Sequence, residues 1–349
     1  MAAQILDEDS LSGWLRARSL VPADAELAIT HAGDGNINWV RRVSIAGGGS
    51  LIVKQARPAL EKFPEYQADT RRIVTEYDWL QLAAPLDEEN VCPRVLSFDE
   101  ADRVLVLEDL GDAARLDAAL LGTSDLEQEL ASVGALLGAV HRTTWDDADM
   151  AQRFAATEMR DLHFAHIYEL PFAENDFPLP AAVAERALRL HKDDAILAEI
   201  AAARQEAREH RRCVQHADPQ PGNILLTAGG PKLLDAEIAH FGAPAFDPGN
   251  LLGHLGLTAL PERRTRLLRE RAGAWWGGYR EAIGADRAPE FAAIARHAAV
   301  EMLRRTVGAA RVAAVAADED SLAAIETACG WLREPPATPQ DLCLREGTP

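Results

Sequence analysis

The sequence predicts an α+β protein in two parts: a small N-terminal lobe built on an antiparallel sheet, then a larger, mostly helical C-terminal lobe. Three observations carry this. Short runs rich in β-branched residues recur between residues 26 and 108, separated by glycine and aspartate turns. After Asp112 the composition changes to Ala and Leu at helical spacing. One strand-turn-strand, within residues 223–234, interrupts the helices of the second part. A length of 349 residues also exceeds what a single core usually serves. The expected division is 1–109 for the β-rich lobe and 110–335 for the helical lobe, with the Pro-rich, polar residues 336–349 as a flexible tail.

In chain order, residues 11–19 read as a first helix, and residues 26–31, 38–45 and 50–56 as strands. Gly33-Asp34-Gly35 and Gly47-Gly48-Gly49 mark the turns between them. Residues 67–83 follow as a helix with Ile73, Val74, Tyr77 and Leu80 on one face. Residues 94–99 and 103–108 read as two more strands, joined through Asp99-Glu100-Ala101-Asp102. Ser124-Asp125-Leu126-Glu127 has the form of a capping box, opening a helix whose buried stripe is Leu126, Leu130, Val133, Leu137 and Val140. Helices run to about Arg212, residues 223–227 and 231–234 form the hairpin around Gly229-Gly230, and residues 246–333 are helical again.

Hydrophobic residues make up 48% of the chain and charged residues 26%, an ordinary globular balance. No segment approaches the ~20 continuous apolar residues of a membrane helix. The acidic start of the chain lacks the basic and apolar regions of a signal peptide, so a cytoplasmic protein is expected. Cys92, Cys213, Cys329 and Cys343 are far apart, which argues against a zinc site or disulfide framework. A net charge of −19 argues against nucleic acid or an anionic membrane as partner. A homodimer is left open. A small sugar or alcohol is the expected ligand, for the reasons that follow.

The strongest pattern is His216-Ala217-Asp218-Pro219-Gln220-Pro221-Gly222-Asn223, followed by Leu233-Leu234-Asp235-Ala236-Glu237. The first piece fits H-x-D-x-x-x-x-N. In phosphoryl transfer such an aspartate accepts the proton of the attacking hydroxyl, and the asparagine helps hold magnesium. Asp218 is therefore the candidate catalytic base, and Asn223, Asp235 and Glu237 are candidate ligands for Mg²⁺. A hairpin between Asn223 and Asp235 would bring its two ends together, and hard oxygen donors suit that ion. Lys54, in Leu51-Ile52-Val53-Lys54, needs an anion to offset its apolar surroundings. The phosphates of ATP would serve, with Glu76 on the following helix holding the lysine.

Gly33, Asp34, Gly35, Asn36 and Asn38 form a turn through which backbone amides could approach phosphate oxygens. Glu108 and Leu110 lie in Val106-Leu107-Glu108-Asp109-Leu110-Gly111, where the composition changes from β to α and an adenine could meet exposed backbone. Each of these has a plainer reading alone: an edge-strand lysine, a hairpin turn, a linker. Their order along one chain, a β-rich lobe and then a helical lobe holding a hairpin, is the layout of bilobal protein-kinase-like folds.

With these motifs the sequence resembles the aminoglycoside phosphotransferase/choline kinase superfamily, and within it the 5-methylthioribose kinases. The resemblance lies in residues 33–38, 50–56, 107–110, 235–237, 241–242 and 246–251, and in Glu301-Met302-Leu303-Arg304-Arg305-Thr306-Val307-Gly308. It implies ATP and Mg²⁺, a sugar hydroxyl as acceptor, and Arg304 and Arg305 reaching into the sugar site. It also implies that Asp247 holds the catalytic loop from the following helix. Adjacent helical arginines project about 100° apart, so both can face one site only near a bend or a helix end, which Gly308 could supply. The chain departs from the pattern at Ala217, where glycine is usual, at Pro219-Gln220 in place of Leu-His, and at Ala236 in place of proline. Asn223 stands where a methylthioribose kinase would carry serine, and residues 159–194 match poorly. The alternatives are an aminoglycoside or amino-alcohol phosphotransferase, or a nucleotide-binding pseudokinase. The absence of DFG and APE segments speaks against a protein kinase.

Overall fold

The computed structural model describes residues 4–33, 38–59, 68–155 and 157–347. It divides into two compact units, Met1–Pro85 with Cys92–Ala113, and Leu86–Val91 with Ala114–Pro349. The change of unit thus follows Ala113 rather than residue 109. Leu86–Val91 groups with the second unit, where the Val91 carbonyl accepts from the Leu233 amide at 2.8 Å.

The first unit begins with helix α1 (Glu8–Ala17) and strands β1 (Leu27–His31), β2 (Trp39–Ile45) and β3 (Ser50–Gln55). Helix α2 (Arg72–Ala83) and strands β4 (Val95–Asp99) and β5 (Val104–Glu108) complete it. The strands form an antiparallel sheet in the order β1-β2-β3-β5-β4. Helix α1 starts three residues before the apolar pattern does. Asp7 and Ser10 cap it reciprocally, the Ser10 amide donating to Asp7 Oδ1 at 2.8 Å and the Asp7 amide to Ser10 Oγ at 2.9 Å. Leu11, Trp14 and Leu15 of α1 pack with Trp39, Val43, Leu51, Val53, Val104 and Val106 of the sheet. Side chains alternate along a strand, so with Leu51 and Val53 on this core face Lys54 falls on the other.

The second unit opens with β6 (Ala114–Arg115) and helices α3 (Leu116–Leu120), α4 (Glu127–Thr143), α5 (Ala148–Arg153), α6 (Thr157–Tyr168), α7 (Ala181–Leu190) and α8 (Asp194–Glu209). Strands β7 (Cys213–Gln215), β8 (Ile224–Thr227), β9 (Gly230–Leu233) and β10 (His240–Gly242) follow. Helices α9 (Phe246–Ala259), α10 (Thr265–Ile283), α11 (Phe291–Val307) and α12 (Asp318–Arg333) end it. Strand β8 pairs with β9 and β6, and β7 with β10. At two or three residues, β6, β7 and β10 are too short to show periodicity in the sequence.

Two expectations are corrected. The capping box at Ser124 does not form: Asp125 Oδ1 takes the Glu127 amide at 3.1 Å, and the Ser124 carbonyl accepts from buried Arg271. Residues 336–349, expected as a flexible tail, are docked over their described part. Leu342 is fully buried, Trp331 Nε1 donates to the Cys343 carbonyl at 3.0 Å, and the Arg345 amide donates to Thr327 Oγ1 at 2.9 Å. A few apolar side chains, Pro336, Pro339 and Leu342, and a few backbone hydrogen bonds hold this segment, and its composition conceals them.

Helix α9 is buried along its length and packs on α11 through glycines. A Cβ at Gly253 would lie 2.8 Å from the Ala298 carbonyl oxygen and 2.9 Å from the Glu301 Cβ. Gly253→Ala is expected to lower stability by about 1–3 kcal/mol through overpacking, despite alanine's better helix propensity of about 1 kcal/mol. Urea unfolding of the variant checks this, and a midpoint at or above the wild-type value would contradict the close packing of α9 on α11.

Candidate functional site

The loop between β7 and β8 carries the H-x-D pattern, and a buried carboxylate shapes it. Asp247, in the first turn of α9, is fully buried. Its Oδ2 accepts from the His216 amide and its Oδ1 from the Ala217 amide, both at 2.8 Å. His141 Nε2 lies 3.2 Å from Oδ2. Burial works against the charge of Asp247, but His141, His216 and these amides outweigh it and hold the carboxyl below its ordinary range. The loop turns through Ala217 at φ +70°, a left-handed conformation that costs a non-glycine residue about 1–2 kcal/mol. This is the position where glycine is usual in the family pattern.

Asp218 follows the turn. Its Oδ2 accepts from Gln220 Nε2 and from Asn223 Nδ2, each at 3.0 Å. Asn223 Nδ2 also donates to the Asp218 carbonyl at 2.9 Å. Asp218 Oδ1 is buried and accepts no hydrogen bond among the described residues. One oxygen of the candidate base is therefore held by two donors, while the other is enclosed without one. With its amide nitrogen committed to Asp218, the Oδ1 of Asn223 is left as the acceptor end.

The hairpin closes as its sequence predicts. The Leu234 amide donates to the Asn223 carbonyl at 2.8 Å, and Ile224 pairs with Leu233. Asp235 is thereby set one residue beyond the closure, at φ +65°. His216 is fully buried, and its Nδ1 accepts from the Asp218 amide at 3.3 Å. Glu237 lies in the turn after Ala236. Among the described residues no three His, Cys, Asp or Glu side chains converge into a ready metal cage. Mg²⁺ does not require one, because water and phosphate supply most of its ligands. Asn223 Oδ1 and the Asp235 carboxylate are of the right donor class.

Arg304 and Arg305 are buried in the last turn of α11 and do not face solvent. Glu301, one turn earlier, gathers both. Its Oε2 accepts from Arg304 Nε, and its Oε1 accepts from Arg305 Nε at 2.9 Å and contacts His254 Nε2 at 3.0 Å. Burial disfavours the Glu301 charge, but the two guanidiniums hold its carboxyl well below the ordinary range. Arg305 NH2 then reaches Gln220 Oε1 at 3.1 Å and stands 3.9 Å from Asp218 Oδ1. The arginines converge through a shared carboxylate at a helix end, with Gly308 as the cap.

In the first unit, Lys54 Nζ and Glu76 Oε1 are 2.7 Å apart and both side chains are buried, as the sequence predicts. Asn38 is buried, and its Oδ1 accepts from Arg72 Nε at 2.8 Å. Gly33 has φ +72°, a conformation suited to glycine. Asp34, Gly35 and Asn36 lie outside the described residues. The Glu108 side chain accepts from the Arg94 amide at 2.9 Å, so Glu108 and Leu110 are left to offer backbone. Arg42 of β2 binds Asp109 at 2.9 Å, Asp112 at 2.8 Å and the Gly111 carbonyl at 2.8 Å, fixing this segment to the sheet.

The phosphotransferase enzyme family model matches residues 28–291, most of the chain. The chain belongs to this family. It is 26% identical over 341 residues to a methylthioribose kinase of Erwinia tasmaniensis, covering 84% of this chain and 83% of that protein. It is 30% identical over 243 residues to a methylthioribose kinase of Yersinia enterocolitica, covering 64% of this chain and 58% of that one. Among solved structures, a choline kinase from Streptococcus pneumoniae superposes with TM-score 0.52 at 14% identity, over 93% of this chain and 98% of that one. A choline/ethanolamine kinase family protein from Mesorhizobium loti does so with TM-score 0.52 at 20% identity, over 96% and 97%. The fold is the bilobal one of these kinases, and the chain is a small-molecule kinase.

Within this phosphotransferase, sequence reasoning missed Glu301, His254 and the partners of Gln220. Glu301-x-x-Arg304-Arg305 carries the i,i+3 and i,i+4 spacing of helical ion pairs, a signal that could have exposed Glu301. Another missed feature is a set of buried imidazoles around Phe246. His163, His240 and His297 stand edge-on to its ring at 5.9, 6.2 and 6.0 Å. Burial pushes His240 and His297 down from 6.5 to about 4 and lowers His163, His216 and His254 as well. Their folded-state values lie below the unfolded one. The unfolded chain therefore takes up protons below pH 6.5 that the folded protein refuses. The stability they confer is complete above 6.5 and is lost as pH falls toward 4. Urea midpoints are expected to fall between pH 7 and about pH 5, where ordinary carboxylates are still ionised, and a flat profile over that window would contradict burial of these rings in neutral form.

Proposed function

We propose that this kinase transfers the γ-phosphoryl group of ATP to a hydroxyl of a small sugar, 5-methylthioribose or a close relative, with Asp218 as the general base. The observation that carries the reading is the asymmetry of the Asp218 carboxylate. Gln220 and Asn223 hold Oδ2 while Oδ1 is buried without a donor. An acceptor hydroxyl donating to Oδ1 would fill that place. As its oxygen forms the bond to the γ-phosphorus, its proton passes to Oδ1, and the P–O bond to ADP breaks.

Asn223 and Asp235 would hold Mg²⁺, with Glu237 two residues on. Bound there, the ion would supply charge neutralisation for the transferring phosphoryl group. Lys54, buried on its ion pair with Glu76, would take the nucleotide's phosphates, and the glycine turn at Gly33 and the backbone at Glu108–Leu110 would receive the rest of the nucleotide. Arg304 and Arg305 would meet the acceptor. Two relatives named as methylthioribose kinases, at 26% and 30% identity, support a sugar of this kind. So does charge: the buried Arg305 guanidinium, 3.9 Å from Asp218, opposes a polycationic acceptor.

The test is ADP release with MgATP over a panel of methylthioribose, other small sugars, choline and aminoglycosides. Methylthioribose or a related sugar is expected to give the highest kcat/KM. Asp218→Ala is expected to lower turnover about 10²–10⁴-fold while ATP still binds. Near-normal turnover in that variant sinks the base assignment. Turnover only on amines would move the protein to the amino-alcohol class, and nucleotide binding without turnover anywhere on the panel would make it a pseudokinase.

A further inference from the structure

Gln220 stands between two charged groups that would otherwise pair. Its Nε2 donates to Asp218 Oδ2 at 3.0 Å and its Oε1 accepts from Arg305 NH2 at 3.1 Å. The direct approach of Arg305 NH2 to Asp218 Oδ1 is 3.9 Å, too long for a hydrogen bond. The amide can face only one way. Flipped, it would set a carbonyl oxygen against the Asp218 carboxylate and an NH₂ against the guanidinium, with repulsion at both ends.

We propose that Gln220 is a positioning residue that works as a polar spacer. It gives the catalytic carboxylate and the Arg305 guanidinium one partner each, and so holds the ion pair at 3.9 Å, short of a hydrogen-bonded salt bridge. The inference rests on the reading of Asp218 as base. A carboxylate locked bidentately to a guanidinium has both oxygens occupied and its charge spent, so it accepts a hydroxyl proton poorly. The neutral amide avoids this without competing for the proton. Arg305 cannot swing away to relieve the contact, because its Nε is fixed to Glu301 at 2.9 Å within buried surroundings. Asn223 holds the same Oδ2 from the other side, so removal of Gln220 leaves the carboxylate one donor and an unshielded cation.

The test uses the full-length protein, MgATP, and methylthioribose as the probe acceptor. Gln220→Leu removes both contacts and is expected to lower kcat about 10- to 100-fold, with both KM values changed far less. Arg305→Lys in that background is expected to cost at least about fivefold less than in the wild type, since the two residues act through one carboxylate. A crystal structure of Gln220→Leu is expected to show Asp218 turned onto Arg305 with an N–O distance below about 3.2 Å. Should Gln220→Leu fail to fold, Gln220→Ala removes the same two contacts with a smaller side chain, and a comparable fall in kcat is expected. Additive losses, a change confined to KM, full turnover in Gln220→Ala, or an unmoved Asp218 in the crystal would each overturn the spacer role. The crystallographic arm decides this whichever acceptor the enzyme uses. Undiminished turnover in Asp218→Ala would instead overturn the reading of the base.

Discussion

The loop that carries Asp218 depends on one buried carboxylate, Asp247. Left alone it would be among the most costly groups in the molecule, and its stability comes from taking two loop amides and a histidine as partners. The consequence runs outward. The His216 and Ala217 amides must converge on one carboxylate, so the loop bends through a left-handed alanine, and the bend sets Asp218 beyond it. The Leu234 amide closes on the Asn223 carbonyl and so returns the end of the hairpin, with Asp235 beside it, to the loop that carries Asp218. Helix α9 carries Asp247 at one end and the glycines that seat α11 along its length.

A second carboxylate, Glu301, does for Arg304 and Arg305 what Asp247 does for the loop of Asp218. Both are buried, both have carboxyls held below the ordinary range by their partners, and both use each oxygen. They differ in what they hold. Asp247 grips backbone and so shapes the chain; Glu301 grips side chains and so aims charge. Gln220 joins the two systems, because Asp218, which one positions, and Arg305, which the other aims, meet on its single amide.

Much of this was legible in the sequence. The order of strands and helices followed from periodicity and glycine turns, and the Lys54–Glu76 pair and the closure of the hairpin at Asn223 followed from the spacing of a few charged residues. What was hidden is tertiary. Nothing local marks Asn38 as the partner of Arg72, or Arg42 as the strap on Asp109 and Asp112, because each pair joins segments distant in sequence. Ser124 lost its capping role to Asp125, its neighbour, while its carbonyl was taken by an arginine far along the chain. The docked segment after Arg333 has no compositional signature, because a few scattered buried residues, among them Pro339 and Leu342, and hydrogen bonds to its backbone leave no periodic trace. The role of Gln220 was masked differently. It was visible as a departure from the family pattern, but its meaning lay in Arg305, eighty-five positions away.

The sharing of Glu301 by two arginines bears on how such a site can change over generations. Losing Glu301 alone would strand two guanidiniums in a dry interior, and losing the arginines alone would strand the carboxylate, each a step of about 3–5 kcal/mol for a buried ion pair. A typical domain has only about 5–15 kcal/mol to lose. The three residues are therefore bound to be inherited together, and drift toward a different acceptor has an easier route through neighbouring loops than through this helix end. Lineages of these kinases should keep the trio whole or replace it whole, with few sequences caught between.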